Sequence, residues 1–152
     1  MTPSARVQAA IDILDAVIAA ARGQGASADR IAADWFRARR FVGSNDRRAI
    51  RDLALNAIRV CGDVPQSGRA AMLRLAQGDA TIAALFDGSN YGPAPVMPGE
   101  PVAPGGVAPA WLVDQMAASG LDADEQAALL GRAPLDLRAN TLKITQEELC
   151  AR

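Results

Sequence analysis

The sequence contains no histidine, and among its 152 residues it has only two cysteines, one lysine and one tyrosine. Without imidazole the chain cannot build a Ser-His or Cys-His nucleophile, and most zinc sites are excluded as well. Cys61 and Cys150 share no repeated spacing, so the sequence predicts neither a disulfide framework nor a metal site. The carboxylates of Asp12 and Asp15 are interpreted as ordinary helix-surface charges. The sequence therefore predicts no catalytic residue and no metal ligand.

Long apolar runs are also missing. No stretch approaches the roughly 18 apolar residues of a membrane helix. Asp12 and Asp15 interrupt the apolar residues near the N-terminus, which argues against a signal peptide. The sparse cysteines fit a reducing compartment. We therefore expect a cytoplasmic protein without a membrane partner.

Aromatic residues make up only 4% of the chain, whereas half of all residues are hydrophobic. The core must then consist mainly of Ala, Leu, Ile and Val, a bias that favours helix over strand. The net charge of −1 hides an uneven distribution. Residues 30–59 hold eight arginines and three aspartates, whereas residues 100–152 hold four basic and eight acidic side chains. The chain therefore combines a basic block with an acidic C-terminal part.

Apolar periodicity and capping residues predict five helices in residues 1–87. The first begins at Thr2-Pro3 and ends at Gly23, and the second is capped by Ser27. Gly43 breaks the chain before a third helix that is capped by Ser44 or Asn45. A fourth helix spans about 67–77, and a short fifth follows Asp79. The apolar stripe of the first helix consists of Val7, Ile11, Leu14, Ile18 and Ala21. We predict an all-α fold, a compact helical bundle.

Proline and glycine dominate the next segment. Residues 88–109 contain six of the nine prolines and five glycines. This composition is typical of a linker or an extended strap, so we expect 88–108 to have no regular structure and not to be a packed element. Tyr91, Val96 and Met97 are the candidates for attaching parts of it to the bundle.

A second unit is predicted to start at Pro109, which opens a helix that ends near Gly120. Asp122 with Glu125 predicts the start of another helix, and Thr145 with Glu148 predicts the start of a last one. Between them, alternating side chains predict a short strand over 135–142, which would make this part a short α+β segment. Because a single strand is not stable without partners, we expect 109–152 to be the beginning of an incomplete domain.

The only constellation with functional chemistry lies between Trp35 and Arg51. Arg47 and Arg48 fall in the first turn of the third helix, where the helix dipole disfavours a cation by about 0.3–1 kcal/mol. A bound phosphate would reverse this penalty, because backbone N–H groups and guanidinium groups would bind it together. These residues are therefore candidate RNA contacts: Arg37, Arg39, Arg40, Arg47, Arg48 and Arg51.

A solvated surface is the alternative. The same arginines could pair with Asp34, Asp46 and Asp52, as most surface charges do. The neighbouring aromatic residues are more typical of a core than of base stacking: Trp35, Phe36 and Phe41.

Two stretches resemble a known family. Residues 36–41 (Phe-Arg-Ala-Arg-Arg-Phe) and 43–50 (Gly-Ser-Asn-Asp-Arg-Arg-Ala-Ile) resemble the NusB-like domain that opens many RsmB/Sun-type ribosomal RNA cytosine-C5 methyltransferases. Residues 109–112 (Pro-Ala-Trp-Leu) and 133–143 (Ala-Pro-Leu-Asp-Leu-Arg-Ala-Asn-Thr-Leu-Lys) are similar to the segment before that family's catalytic domain. The stretches occur in the family's order.

The resemblance implies an S-adenosylmethionine-dependent enzyme that methylates C5 of a cytosine through a covalent cysteine adduct. The family's cofactor loop and catalytic cysteines would lie downstream, so we expect this chain alone to bind no cofactor and to have no activity. Arg138, Asn140 and Lys143 match the pre-catalytic motif and are candidates for RNA contact or for bracing the catalytic domain. The expected partners are ribosomal RNA and, in cis, the methyltransferase domain.

The resemblance also implies a division of the chain. Residues 1–87 would form a NusB-like helical RNA-binding domain, 88–108 a linker, and 109–152 the start of the methyltransferase domain. Two alternatives stay open. One is a free-standing antitermination factor of the NusB type, and the other is a helical protein-interaction domain without salt-dependent affinity for nucleic acid.

Overall fold

The computed structural model describes residues 1–131 and 138–151 of the chain. Within these ranges there is no β-ladder, and an isolated parallel bridge joins Cys61 to Gly106. The prediction of an all-α fold is therefore confirmed for the described residues. The helices are α1 (Pro3–Arg22), α2 (Ala28–Ala38), α3 (Ser44–Val60), α4 (Gly68–Gln77), α5 (Ala80–Ala83), α6 (Ala110–Ala118), α7 (Ala123–Ala128) and α8 (Gln146–Cys150). None of the described helices is long and apolar enough to cross a membrane.

Helix α1 lies at the centre of the bundle and packs against α2, α3 and α4. Its predicted limits are confirmed: the Thr2 hydroxyl accepts a hydrogen bond from the Ala5 N–H at 3.2 Å, and Gly23 is the C-cap. Ala21, the last member of the predicted stripe, is exposed, although the other four members are buried. Further residues beside that stripe are buried too: Ala9, Ala10 and Ile13. A helix with neighbours on several sides needs a wider apolar surface than one stripe supplies.

Helices α1 and α4 approach closely at Gly68, the first residue of α4. A Cβ atom at this position would lie 2.9 Å from both the Asp15 nitrogen and the Leu14 Cβ. The Gly68 N–H donates to the Asp15 carboxylate at 2.6 Å. Asp15 therefore satisfies an N-terminal N–H group of α4, and its interpretation as an ordinary surface charge is wrong.

The other helix starts follow their capping residues. Helices α4 and α5 begin where predicted, and the Ser67 and Asp79 side chains accept hydrogen bonds from their first turns. Helix α2 begins after Ser27, also as predicted. The N-cap of α3 is Gly43, so Ser44 belongs to the helix and the predicted start was too late by one or two residues.

Residues 88–108 contain no helix and no ladder strand, as expected, but they are packed. Pro93 and Ala103 are buried, and the Ala103 N–H donates to the Ala70 carbonyl at 3.1 Å. The Gly106 N–H donates to the Val60 carbonyl at 3.3 Å. The expectation that this segment is not a packed element is therefore wrong.

Arg69 of α4 holds the same segment electrostatically. Its guanidinium group pairs with Glu100 and donates to the Ala94 and Pro95 carbonyls at 3.0 and 3.2 Å. It also lies 5.1 Å from the centre of the Phe86 ring. Three residues that were predicted to attach the segment are exposed instead: Tyr91, Val96 and Met97.

Beyond Pro109, helices α6 and α7 contact each other. Both predicted capping boxes are confirmed, Asp122 with Glu125 at α7 and Thr145 with Glu148 at α8. The predicted strand over 135–142 is wrong in its described part, because residues 138–142 form no strand. Asn140 instead accepts hydrogen bonds from the backbone of a turn. Residues 135–137 of the predicted strand lie outside the described part of the chain.

Replacing Gly68 by alanine tests the approach of α1 and α4. The new methyl group would overlap the α1 backbone, so we expect Gly68→Ala to lower the free energy of unfolding by about 1–3 kcal/mol. Gly78→Ala is the matched control, because a Cβ there would lie 3.7 Å from its nearest neighbour, the Leu75 carbonyl oxygen. Urea unfolding measures both variants, and equal stabilities would contradict the close contact.

The Arg69–Glu100 pair predicts a pH dependence of stability. Its hydrogen bond from Arg69 lowers the pKa of the Glu100 carboxyl. The pair should therefore contribute fully above the pKa of an unfolded glutamate, about 4.3, and lose its contribution as pH falls through the lower folded pKa. Glu100→Gln should destabilise the protein near neutral pH and have little effect in strong acid.

The exposed Glu147 in the first turn of α8 supplies the control variant, Glu147→Gln. Urea unfolding across the acid range measures both variants against the wild type. A Glu100→Gln effect of the same size at all pH values would contradict an electrostatic role for the pair.

Candidate nucleic-acid interface

A five-residue connection, 39–43, joins the basic ends of α2 and α3. Helix α2 ends at Ala38 with Arg39 as its C-cap, and the Val42 N–H donates to the Arg39 carbonyl at 3.0 Å. Val42 is fully buried and therefore fixes the turn to the core. The Arg47 Nε donates to the Val42 carbonyl at 2.8 Å. Arg47 is only partly exposed as a result, and it helps to hold the turn.

The aromatic pair Trp35–Phe36 lies under the arginines. The two rings make an edge-to-face contact with their centres 5.4 Å apart. The guanidinium carbon of Arg39 lies 4.1 Å from the Trp35 ring centre. The guanidinium carbons of Arg47 and Arg51 lie 5.8 and 5.9 Å from the Phe36 ring centre. Cation–π contact at these distances is attractive, so the pair brings three of the six candidate arginines together.

Arg37 is engaged differently. It pairs with Asp34, which also binds Arg30 at 3.2 Å. The hydrogen bonds from Arg30 and then Arg37 lower the pKa of the Asp34 carboxyl. For Arg37, the alternative of a solvated ion pair therefore describes what the structure shows.

Asp46 and Asp52 do not neutralise the cluster. Asp46 accepts hydrogen bonds from the Met1 amino group at 3.0 Å and from Arg6 at 2.7 Å. These bonds lower the pKa of Asp46, with the amino group as the larger cause. Among the described residues, Asp52 makes no ion pair, and five candidate arginines have no carboxylate partner. These five form what we call the arginine surface: Arg39, Arg40, Arg47, Arg48 and Arg51.

Arg40, Arg48 and Arg51 are exposed, so their charges face solvent. The three candidates in the C-terminal part share no described hydrogen bond or ion pair with this surface. Arg138 and Lys143 are exposed, and the Asn140 carbonyl accepts from the Lys143 N–H at 2.8 Å. The structure thus groups the arginines of the α2–α3 turn and of α3, and it shows no contact between them and Arg138, Asn140 or Lys143 in the described part of the chain.

Sequence reasoning missed Arg6, which is part of the site because it neutralises Asp46. Forty residues separate this pair, so no local spacing indicates the contact. The basic residue one turn from the start of α1 was the only available signal.

Neither a metal cluster nor a reactive Cys61 thiol is found in the described part of the chain. No group of three metal-ligating side chains occurs there. Cys61 is buried and its Sγ donates to the Ala57 carbonyl at 3.0 Å. Burial raises the pKa of the Cys61 thiol, which makes it a poor nucleophile.

Comparison of the chain with protein-family models, with curated proteins and with solved structures gave no match. The interface therefore has to be judged on its geometry and charge alone.

Arg47 is hydrogen-bonded to the backbone and Arg48 is exposed, so the two residues should contribute differently to stability. Arg47→Ala removes the hydrogen bond to the Val42 carbonyl and should cost about 1 kcal/mol. Arg48→Ala, at the exposed neighbouring position, should change stability by less than about 0.5 kcal/mol. Thermal and urea unfolding measure the difference. If both variants were equally stable, Arg47 would not hold the turn.

Proposed function

We propose that this chain is an RNA-binding module of an S-adenosylmethionine-dependent ribosomal RNA cytosine-C5 methyltransferase. Its bundle in residues 1–87 would be the NusB-like domain, and residues 109–152 would lead into the catalytic domain. The observation that supports the RNA-binding role is the arginine surface: five guanidinium groups in the α2–α3 turn and the first turns of α3, without a carboxylate partner among the described residues.

The chemistry of this surface suits phosphate. A guanidinium group presents several N–H donors in a planar fork that matches phosphate oxygens. Arg39, Arg47 and Arg51 rest on aromatic rings, so less conformational freedom is lost when they bind. Arg47 also lies in the first turn of α3, where the helix dipole favours an anion.

The negative charge of Asp46 affects how a phosphate can approach this surface. As an acidic residue in the first turn of α3, it competes with an incoming phosphate for the helix N-terminus. Its carboxylate is already occupied by Arg6 and the Met1 amino group, which lessens the repulsion. Phosphates would therefore approach on the side of Arg47, Arg48 and Arg51 rather than along the axis of α3.

The salt dependence of RNA binding tests the proposal. Each phosphate that the protein neutralises releases counterions, so affinity for an RNA hairpin should fall steeply as salt rises. Arg48→Glu should weaken binding and reduce the slope of log affinity against log salt by about one. Because Arg48 is exposed and makes no described hydrogen bond or ion pair, the fold should be preserved.

Arg59→Glu is the matched control. Arg59 is an exposed arginine of the same helix, bound only to the Asn56 side chain at 3.0 Å. It lies about 16 Å from Arg48 along the axis, beyond the screening length of about 10 Å at 0.1 M salt. Equal affinities and slopes for both variants and the wild type would leave the arginines as a solvated face. The helical protein-interaction domain would then be the better interpretation.

A further inference from the structure

A groove of about 610 Å³ lies beside the arginine surface, between the first turns of α1, the end of α2 and the loop around Tyr91. This volume is within the range of about 300–1,000 Å³ that is typical of pockets for drug-sized molecules. The residues that matter for its chemistry are Ala5, Ala9, Trp35, Arg39, Phe41 and Tyr91. Its surface is mostly apolar, and aromatic side chains stand on several sides.

Two of these aromatic side chains are mostly exposed and so contribute little to the hydrophobic core. Phe41 and Tyr91 are each 79% exposed, although a soluble chain normally buries such rings. Tyr91 also has a φ of +65°, a left-handed conformation that non-glycine residues rarely adopt. Such strain persists only where the surroundings impose it, and it is frequent at binding sites.

The loop that presents Tyr91 is fastened to α1. Asp87 accepts hydrogen bonds from the Ser4 hydroxyl and from the Ser89 N–H, both at 2.9 Å. The Gly92 N–H donates to the Ser89 carbonyl at 2.8 Å. These bonds place Tyr91 at the groove in the free protein, so the aromatic wall is formed before any ligand arrives.

The indole N–H of Trp35 is buried and lacks a hydrogen-bond acceptor among the described residues. Arg39 covers one face of the same indole ring at 4.1 Å. Unsatisfied buried donors are rare in proteins, and because Trp35 lines the groove, an acceptor on a ligand is a candidate partner for this N–H.

We propose that this groove binds one unpaired base of the RNA whose phosphates contact the arginine surface. The inference rests on the proposed function. A nucleobase supplies a π-face for Phe41 and Tyr91, together with acceptor atoms for Arg39 and the Trp35 N–H. An aliphatic side chain would supply no acceptor.

The polar side chains around the groove also suit a nucleobase. Gln8 and Asp12 line its other side, and the Gln8 amide donates to Asp12 at 2.9 Å. Their remaining oxygen atoms can accept a hydrogen bond from the exocyclic amino group of a base. Arg39 belongs to both the groove and the arginine surface, so a strand can place its base in one and its phosphate on the other. The groove thus favours unpaired RNA over a duplex, whose bases are stacked inside the helix.

The double variant Phe41→Ala/Tyr91→Ala tests this inference. Both rings are exposed, so the bundle should fold normally. Affinity for a hairpin with an unpaired loop should fall roughly tenfold, as expected when base stacking is lost. Affinity for a blunt duplex with the same number of phosphates, and the salt slope for both RNAs, should not change. Trp111→Ala removes an aromatic residue that is 67% exposed and lies outside the groove, so it should behave like the wild type.

The outcomes separate the two proposals. A wild-type chain that binds neither RNA would refute the proposed function and this inference with it. A wild type that binds both RNAs, and a double variant that binds them equally well, would overturn the groove inference and leave the proposed function intact. Equal loss on hairpin and duplex would also overturn it, because the rings would then affect phosphate binding.

A spectroscopic readout gives independent evidence. In a Trp111→Phe background Trp35 is the remaining tryptophan, and a base that stacks in the groove should quench its fluorescence. Saturable quenching by the hairpin but not by the duplex would support the inference. Quenching that persists unchanged in the Phe41→Ala/Tyr91→Ala variant would contradict it.

Discussion

The close approach of α1 and α4 at Gly68 is the contact on which the rest of the bundle depends. Only a residue without a side chain lets the first turn of α4 reach the backbone of α1, where Asp15 accepts its N–H. The next two residues, Arg69 and Ala70, then bind residues 88–108. Helix α1 also contacts α2 and α3, and the arginine surface lies on α3 and on the turn between these two helices. One steric constraint therefore positions both the basic ends of the helices and the irregular segment beside them.

In the arginine surface, contacts with aromatic rings stabilise guanidinium groups without neutralising their charge. An exposed ion pair contributes about 0–1 kcal/mol, and a cation–π contact at an exposed site contributes about 0.5–1 kcal/mol. Arginines on the Trp35–Phe36 pair are thus stabilised about as well as they would be by carboxylates, without being neutralised. Phe36 serves two environments, since its ring is buried in the core and also lies within 6 Å of two guanidinium carbons. The described ion pairs of the region involve other cations, namely Arg30 and Arg37 with Asp34, and Arg6 and the Met1 amino group with Asp46.

Local features of the fold could be predicted from the sequence, and long-range contacts could not. A helix start depends on a capping side chain and the next few residues, and these predicted starts carry a side-chain cap: Thr2, Ser67, Asp79, Asp122 and Thr145. Helix α2 also begins after Ser27 as predicted, although the Ser27 side chain makes no capping hydrogen bond. The packing of residues 88–108 depends on partners about 30 residues away, such as Arg69 for Glu100. Proline and glycine content predicted a linker or an extended strap that is not a packed element, because composition does not record such partners. In the candidate site, the arginine cluster was visible in the sequence, but the choice of Asp46 for Arg6 and the exposure of Phe41 and Tyr91 were not.

Helix α3 fixes the distance between the arginine surface and the segment that leads to α6. Its first two turns carry Arg47 and Arg48, and at its other end the Val60 carbonyl accepts the N–H of Gly106, three residues before Pro109. Seventeen helical residues at 1.5 Å each make a rigid rod of about 25 Å. Any anion that rests on the arginines is therefore held at a set distance from the point where the chain departs towards α6. The length of α3 sets this distance, and insertion or deletion of one helical turn would change it by about 5 Å.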